Sequence, residues 1–278
     1  MESGSQLHGG EAMRPFPWCA PDTQHIPLHI GNLSFLSYFN ITSNTFHGHI
    51  PSELARLHRL NVVDFGVNNF GGGVPSWFGN LPKLQYLRLA NNSFTGLVPP
   101  SIGNISTLES LNLRSNFLEG RVPEEIGHLP KLKTLSMGFN NLSGSIPPTF
   151  FNISSLQWID FTSNMKSGDI PQELGSLHSL EMLAMQSANI TSLIPSSIFN
   201  ISSLKELCLS TNNLFGSLPR DMCSHHSSPK IMYLGTNKLM GNIPRAIGHC
   251  TLLSAFHIQE NNLTGNRSIS QTLVVDFG

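Results

Sequence analysis

The chain has 278 residues, 16 Lys and Arg against 17 Asp and Glu, and a net charge of −1. So even a balance, at only 12% charged residues, argues against nucleic acid or an anionic membrane surface as partner. No run approaches the roughly 18 apolar residues of a membrane-spanning helix. The N-terminal MESGSQLHGGEAMRP lacks the apolar core of a signal peptide.

Residues 1–32 read as an irregular N-terminal segment or the remnant of a cap, with Trp18-Cys19 as its only hint of one. From Leu33 the chain becomes periodic. Leu81, Leu84, Leu87 and Leu89 are followed by Asn92, Phe94, Gly96, Val98 and Pro99. The same classes return 24 residues on, at Ile105, Leu108, Leu111, Leu113, Asn116, Leu118, Gly120, Val122 and Pro123. A fixed period of this kind marks a repeat architecture. Units begin at Leu33, Leu57, Leu81, Ile105, Leu129, Ile153, Leu177, Ile201, His226 and Cys250. The Asn fails only in the seventh unit, at Ala188; the Gly fails there too, at Ser192, and the Pro fails in the last unit, at Ser268. Residues 33–268 therefore form ten units of one elongated domain, and 269–278 a truncated tail.

Each position has a physical reason. The L-x-L pair alternates with period two, so it is a short strand with one buried face. The Asn amide carries donors and an acceptor that satisfy the backbone where the chain leaves the strand. Gly permits the turn that follows, and the Ile-Pro step stops a helix and keeps the far side extended. No unit can bury its own leucines, but stacked units share a continuous core. With strands about 4.8 Å apart, the stack should be roughly 45–50 Å long.

The pattern L-x-x-L-x-x-L-x-L-x-x-N-x-L-x-G-x-I-P resembles the leucine-rich repeat of the plant extracellular type. The GNLSFL, GNIS and FNISSL segments, the stretch from Phe46 to Leu60 and the LPRDMC of Leu218 to Cys223 resemble the ectodomains of plant receptor-like serine/threonine kinases, particularly the immune kind. The resemblance covers residues 30–267. It implies an α/β repeat fold: a curved solenoid with a parallel sheet on the concave face and a 3-10 or irregular convex side. It also implies a peptide or protein ligand, a co-receptor ectodomain as second partner, and a place on the extracellular side of the plasma membrane. Receptors of this family carry a signal peptide, a cysteine-containing cap, a membrane span and a kinase. None is visible here, so the chain reads as a fragment or a truncated gene product, whose uncapped terminal units should fray.

No glycine loop with its lysine, H-R-D segment or spaced metal ligands occur, so the chain is read as a non-enzyme needing no cofactor or metal. Most histidines (His47, His49, His58, His128, His178) stand singly on the convex half and read as solvated. Two alternatives stay open: a soluble inhibitor of a secreted enzyme, resembling the polygalacturonase inhibitors, and a non-functional truncated product.

On the strands, the positions between leucines point to solvent and give a candidate ligand surface of Tyr38, Asp64, Tyr86, Arg88, Arg114, Phe139, Trp158, Asp160 and Met182. Exposed aromatics and arginines on a rigid surface are the composition of an interface hot spot. Asp64, Arg88, Arg114 and Asp160 form a charge track, and the irregular seventh unit lies beside it. Cys208, between Leu207 and Leu209, should face the concave solvent side. Cys223 and Cys250 fall on consecutive turns, where either a bridge or two buried thiols would fit. Glycosylation sequons begin at Asn32, Asn40, Asn91, Asn104, Asn141, Asn152, Asn189, Asn200, Asn262 and Asn266, a density suited to a secreted protein.

Overall fold

The computed structural model describes residues 24–164, 168–223 and 229–264. Each unit contributes a three-residue strand at its L-x-L pair. Ten of them run parallel in chain order in one sheet, from Tyr38–Asn40 through Val62–Asp64, Tyr86–Arg88, Ser110–Asn112, Thr134–Ser136, Trp158–Asp160, Met182–Ala184, Glu206–Cys208 and Ile231–Tyr233 to Ala255–His257. Successive strands pair exactly one unit apart, Tyr86 lying between Val62 and Ser110. The middle residue of each strand turns inward; Leu87, Leu111, Leu135, Ile159, Leu183 and Leu207 are fully buried.

The opposite side of most coils is a five-residue 3-10 helix that begins directly after the repeated proline, as in Ser52–Arg56 after Pro51 and Ser76–Asn80 after Pro75; after Pro219 the described residues 220–223 form a turn instead. Proline fixes the extended-to-helical entry and lacks only an N–H that the helix start would leave unbonded. In most of these helices an apolar residue, such as Leu54, Phe78, Ile102, Ile126 or Phe150, drops into the core between the two sides.

From Asn68 to Asn237 the repeated asparagines are buried and hold consecutive coils together. Asn92 Nδ2 donates to the carbonyls of Phe65 (2.9 Å), Leu89 (3.2 Å) and Ala90 (3.3 Å), and its Oδ1 accepts the Phe70 amide at 2.9 Å. Asn68, Asn116 and Asn140 repeat the arrangement. Ala188 breaks the ladder: its own amide, with that of Ile190, is accepted by Asn212 Oδ1.

Three features go beyond the pattern read from sequence. The residue before each Asn is left-handed: Ser43, Val67, Asn91, Ser115, Phe139, Ser163, Ser187, Thr211, Thr236 and Glu260 have φ between 51° and 59°, an uncommon conformation for Val or Phe. A second set of parallel strands follows the Asn. It forms a five-stranded sheet of His47–Gly48, Asn69–Gly73, Ser93–Leu97, Phe117–Arg121 and Asn141–Ser143, then a three-stranded one of Phe215–Gly216, Lys238–Gly241 and Asn262–Leu263. Glycine serves it twice over: Gly120 has φ 74°, and Leu97 of the preceding unit occupies the place of a Cβ, at 2.4 Å. Among the described residues no strand of this set lies between Ser143 and Phe215. There Gly168 takes φ 149° instead, and Ser192, in the glycine's place, accepts the Ile170 amide on its hydroxyl at 3.2 Å.

The regular coil also begins before Leu33. His25-Ile26-Pro27 repeats His49-Ile50-Pro51, Gln24 O accepts the His47 amide at 2.9 Å, and Leu28–Asn32 is a 3-10 helix. The expectation of an irregular segment through residue 32 is therefore corrected for residues 24–32, which close a further coil. Trp18, Cys19, His226, Gly265, Asn266, Ser268 and the tail 269–278 lie outside the described residues. Cys223 and Cys250 form a disulfide with their Cα atoms 5.1 Å apart, both sulfurs against the core.

Candidate functional site

Solvent-facing side chains of the concave sheet fall into rows because consecutive strands pair one unit apart. Trp158 and Phe139 are 47% and 44% exposed, and Tyr38 is 58% exposed. An indole this open, on a strand whose middle residue is wholly buried, is a large apolar surface held on a rigid support. Tyr86, Arg88, Arg114, Asp160 and Met182 are half-buried on the same face.

The charge track is paired within itself. Arg88 Nη1 stands 3.4 Å from Asp64 Oδ2, with its guanidinium 5.3 Å from the centre of the Tyr86 ring. Arg114 reaches across a whole unit to pair with Asp160, and its guanidinium stacks 4.3 Å from the centre of the Phe139 ring. Asp160 is fixed in turn by the Thr162 amide (2.9 Å) and the Ser136 hydroxyl (3.3 Å). The carboxylate side chains of Asp64 and Asp160 are 15% and 13% exposed, their arginines 42% and 38%. The two aspartates therefore position the arginines, and the arginines and aromatics are what a partner meets. An arginine has five N–H donors in a rigid fork, so Arg114 keeps donors free for an acceptor while its side chain is already ordered. That ordering lowers the entropic cost of binding.

Gly138, which sequence reasoning passed over, makes the crossing possible. A Cβ there would lie 2.9 Å from Arg114 Nη1 and 2.9 Å from both carboxylate oxygens of Asp160. The signal was present: Gly138 takes the row position that Arg114 holds one unit earlier. Next to it, left-handed Phe139 (φ 56°) aims its ring back at Arg114. Two exposed pairs line the same face, Glu109 with Lys133 at 2.8 Å and Glu181 with Lys205 at 2.6 Å. The Lys133 ammonium bonded to Glu109 holds that carboxyl below its ordinary value, and Glu109 raises Lys133.

Cys208 departs from expectation. It lies in the concave row, but with Ala184 beside it in register it is only 6% exposed. Burial, then the nearby Glu206 and Asp160, raise its thiol to about 11, so it is an inert part of the floor. Asn40, in the first strand, is exposed and donates to the Tyr38 hydroxyl at 3.2 Å. Among the described residues, no cluster of three or more His, Cys, Asp or Glu could hold a metal, and no helix is long and apolar enough to cross a membrane.

The fold and this face define a curved repeat solenoid presenting a rigid, aromatic- and arginine-bearing concave sheet. The family profile described as a leucine-rich repeat region matches residues 18–157, and a single leucine-rich repeat profile matches 203–225. The chain belongs to the leucine-rich-repeat family. No curated protein sequence matches it. Among solved structures it is similar to a TDR receptor, at 31% identity and TM-score 0.83 over 87% of this chain and 42% of that one. It is also similar to the Arabidopsis receptor kinase HAESA, in complex with the peptide hormone IDA and the co-receptor SERK1, at 27% identity and TM-score 0.76 over 86% and 44%. A plant ice-binding protein shares 26% identity at TM-score 0.72 over 87% and 77%. The chain thus spans less than half the length of the two receptors.

Proposed function

We propose that this chain is the ligand-recognition part of the ectodomain of a plant leucine-rich-repeat receptor kinase. It would face the cell exterior and serve signalling or defence. The observation that carries the reading is the Arg114 assembly, in which a guanidinium is fixed between Asp160 and the Phe139 ring beside open Trp158. The ligand is an extended peptide laid across the strands. Trp158 and Phe139 take its apolar side chains, and Arg88 and Arg114 donate to its carbonyls or acidic groups. A co-receptor ectodomain is the second partner. Support comes from the likeness to receptor ectodomains, one of them in complex with a peptide hormone and a co-receptor.

The reading is tested by panning a phage-displayed library of random dodecapeptides on the immobilised full chain. The selected peptides are then made synthetically and titrated by biolayer interferometry. Peptides should weaken at least tenfold on Trp158→Ala and on Arg114→Ala, and hold their affinity on Phe117→Ser, which lies on the other sheet. Equal affinity for all three variants overturns the proposal.

A further inference from the structure

The sequons are not equivalent in the fold. Asn32, Asn104, Asn152 and Asn200 each end a 3-10 helix, at the same place in the repeat. All four are exposed, and so are their sequon serines, Ser34, Ser106, Ser154 and Ser202. Among the described residues neither these amides nor these hydroxyls have a hydrogen-bond partner. The next hydroxyl along is structural instead: Thr107, Ser155 and Ser203 donate to Leu84, Leu132 and Leu180 carbonyls at 2.8, 2.8 and 2.7 Å. At three other sequons a group is engaged. Asn40 Oδ1 accepts the Thr42 amide and Thr42 donates to Gly66, Asn189 accepts from Asn213, and Thr264 donates to Asn242.

We infer that Asn32, Asn104, Asn152 and Asn200 carry N-linked oligosaccharides, forming a carbohydrate row on the 3-10 side of the solenoid. The inference rests on the extracellular reading above, since the modification needs the secretory pathway. In the reaction the anomeric carbon of a lipid-pyrophosphate-linked oligosaccharide bonds to the asparagine Nδ2. The lipid pyrophosphate leaves and the amide gives up one proton. Asn104, Asn152 and Asn200 stand two units apart, about 10 Å at the spacing of parallel strands, so their glycans screen that side continuously.

Position and sequon can be separated. Asn80 occupies the same exposed helix end but is followed by Leu81-Pro82, so it should be bare. Pro82→Ser should add a glycan there. The full chain, secreted from plant cells behind a cleavable leader, is digested, and its peptides are read by mass spectrometry with and without glycosidase. Glycans at the four asparagines are expected, with one mobility step lost for each Asn→Gln and one gained for Pro82→Ser. The four found unmodified in secreted protein, or Pro82→Ser bare, would overturn the inference. Peptide affinities measured on the Asn→Gln variants report on the ligand reading separately, because these side chains lie off the concave sheet.

Discussion

Asn116→Ala isolates the interaction that stacks the coils. Asn116 is 6% exposed. Its Oδ1 is the acceptor for the Phe94 amide at 3.1 Å, and its Nδ2 donates to the carbonyls of Leu89, Leu113 and Arg114 at 3.1, 3.0 and 3.3 Å. The three carbonyls keep other donors after truncation: Asn92 Nδ2 for Leu89, Asn140 Nδ2 for Leu113 and the Asn91 amide for Arg114. Only the Phe94 N–H is orphaned, in a coil whose Phe94 side chain is 1% exposed. An unsatisfied buried donor costs about 1–3 kcal/mol, and the lost bonds to carbonyls about 1 kcal/mol more, so the variant should lose about 2–4 kcal/mol. Urea unfolding followed by circular dichroism measures this, with exposed Asn152→Ala as a control expected within about 0.5 kcal/mol. Hydrogen exchange at the Phe94 amide gives a local reading. A loss below about 1 kcal/mol, or a Phe94 amide as protected as before, would refute the reasoning.

Four further outcomes follow from the same structure. Gly138→Ala should change stability by less than about 1 kcal/mol, because loss of a part-exposed ion pair is offset by a stiffer unfolded chain. It should nevertheless displace Arg114 and weaken selected peptides about as much as Arg114→Ala does; undiminished affinity would remove Gly138 from the site. Replacing Cys223 and Cys250 by Ser together should cost about 3–4 kcal/mol for a closed loop of this size, the bridge spanning 27 residues, and equal urea midpoints would contradict that. Glu109 should titrate below the ordinary glutamate value by carbon-detected NMR, and Lys133→Met should return it to that value. Because the folded value is lowered, the pair's contribution is fully present above the unfolded glutamate value and fades as pH falls through the folded one. Cys208 should resist alkylation in native protein at pH 8 and react once the chain is unfolded in urea; prompt labelling of the native thiol would show that the floor opens.

Much of the fold was legible because its cause is local and repeated. The L-x-L pairs, the capping asparagines and the prolines each impose their geometry within a few residues, and the period then fixes what stacks on what. The second sheet was hidden because its strands, such as Ser93–Leu97, alternate around a single buried Phe94 and contain the very glycine that reads as a turn. The left-handed residue has no sequence mark, since Val67, Phe139 and Glu260 all occupy it. For the concave face, the rows were legible but the pairing was not. That Arg114 passes over its neighbour to Asp160 depends on an absent Cβ at Gly138, a feature of space rather than pattern. Cys208 was misjudged for a similar reason: strand alternation says which way a side chain points, while its cover is set by neighbouring units.

The central claim is that the concave sheet is the ligand face, and hydroxyl-radical footprinting of the aromatic and methionine side chains tests it most directly. Trp158 and Phe139 on that face are about as exposed as Phe117 and Met240 on the second sheet, at 47%, 44%, 58% and 51%, so all four should oxidise readily in the free chain. With the tightest selected dodecapeptide bound, the account predicts strong protection of Trp158 and Phe139 and unchanged oxidation of Phe117 and Met240. Protection of Phe117 or Met240, with Trp158 left as reactive as before, would contradict it.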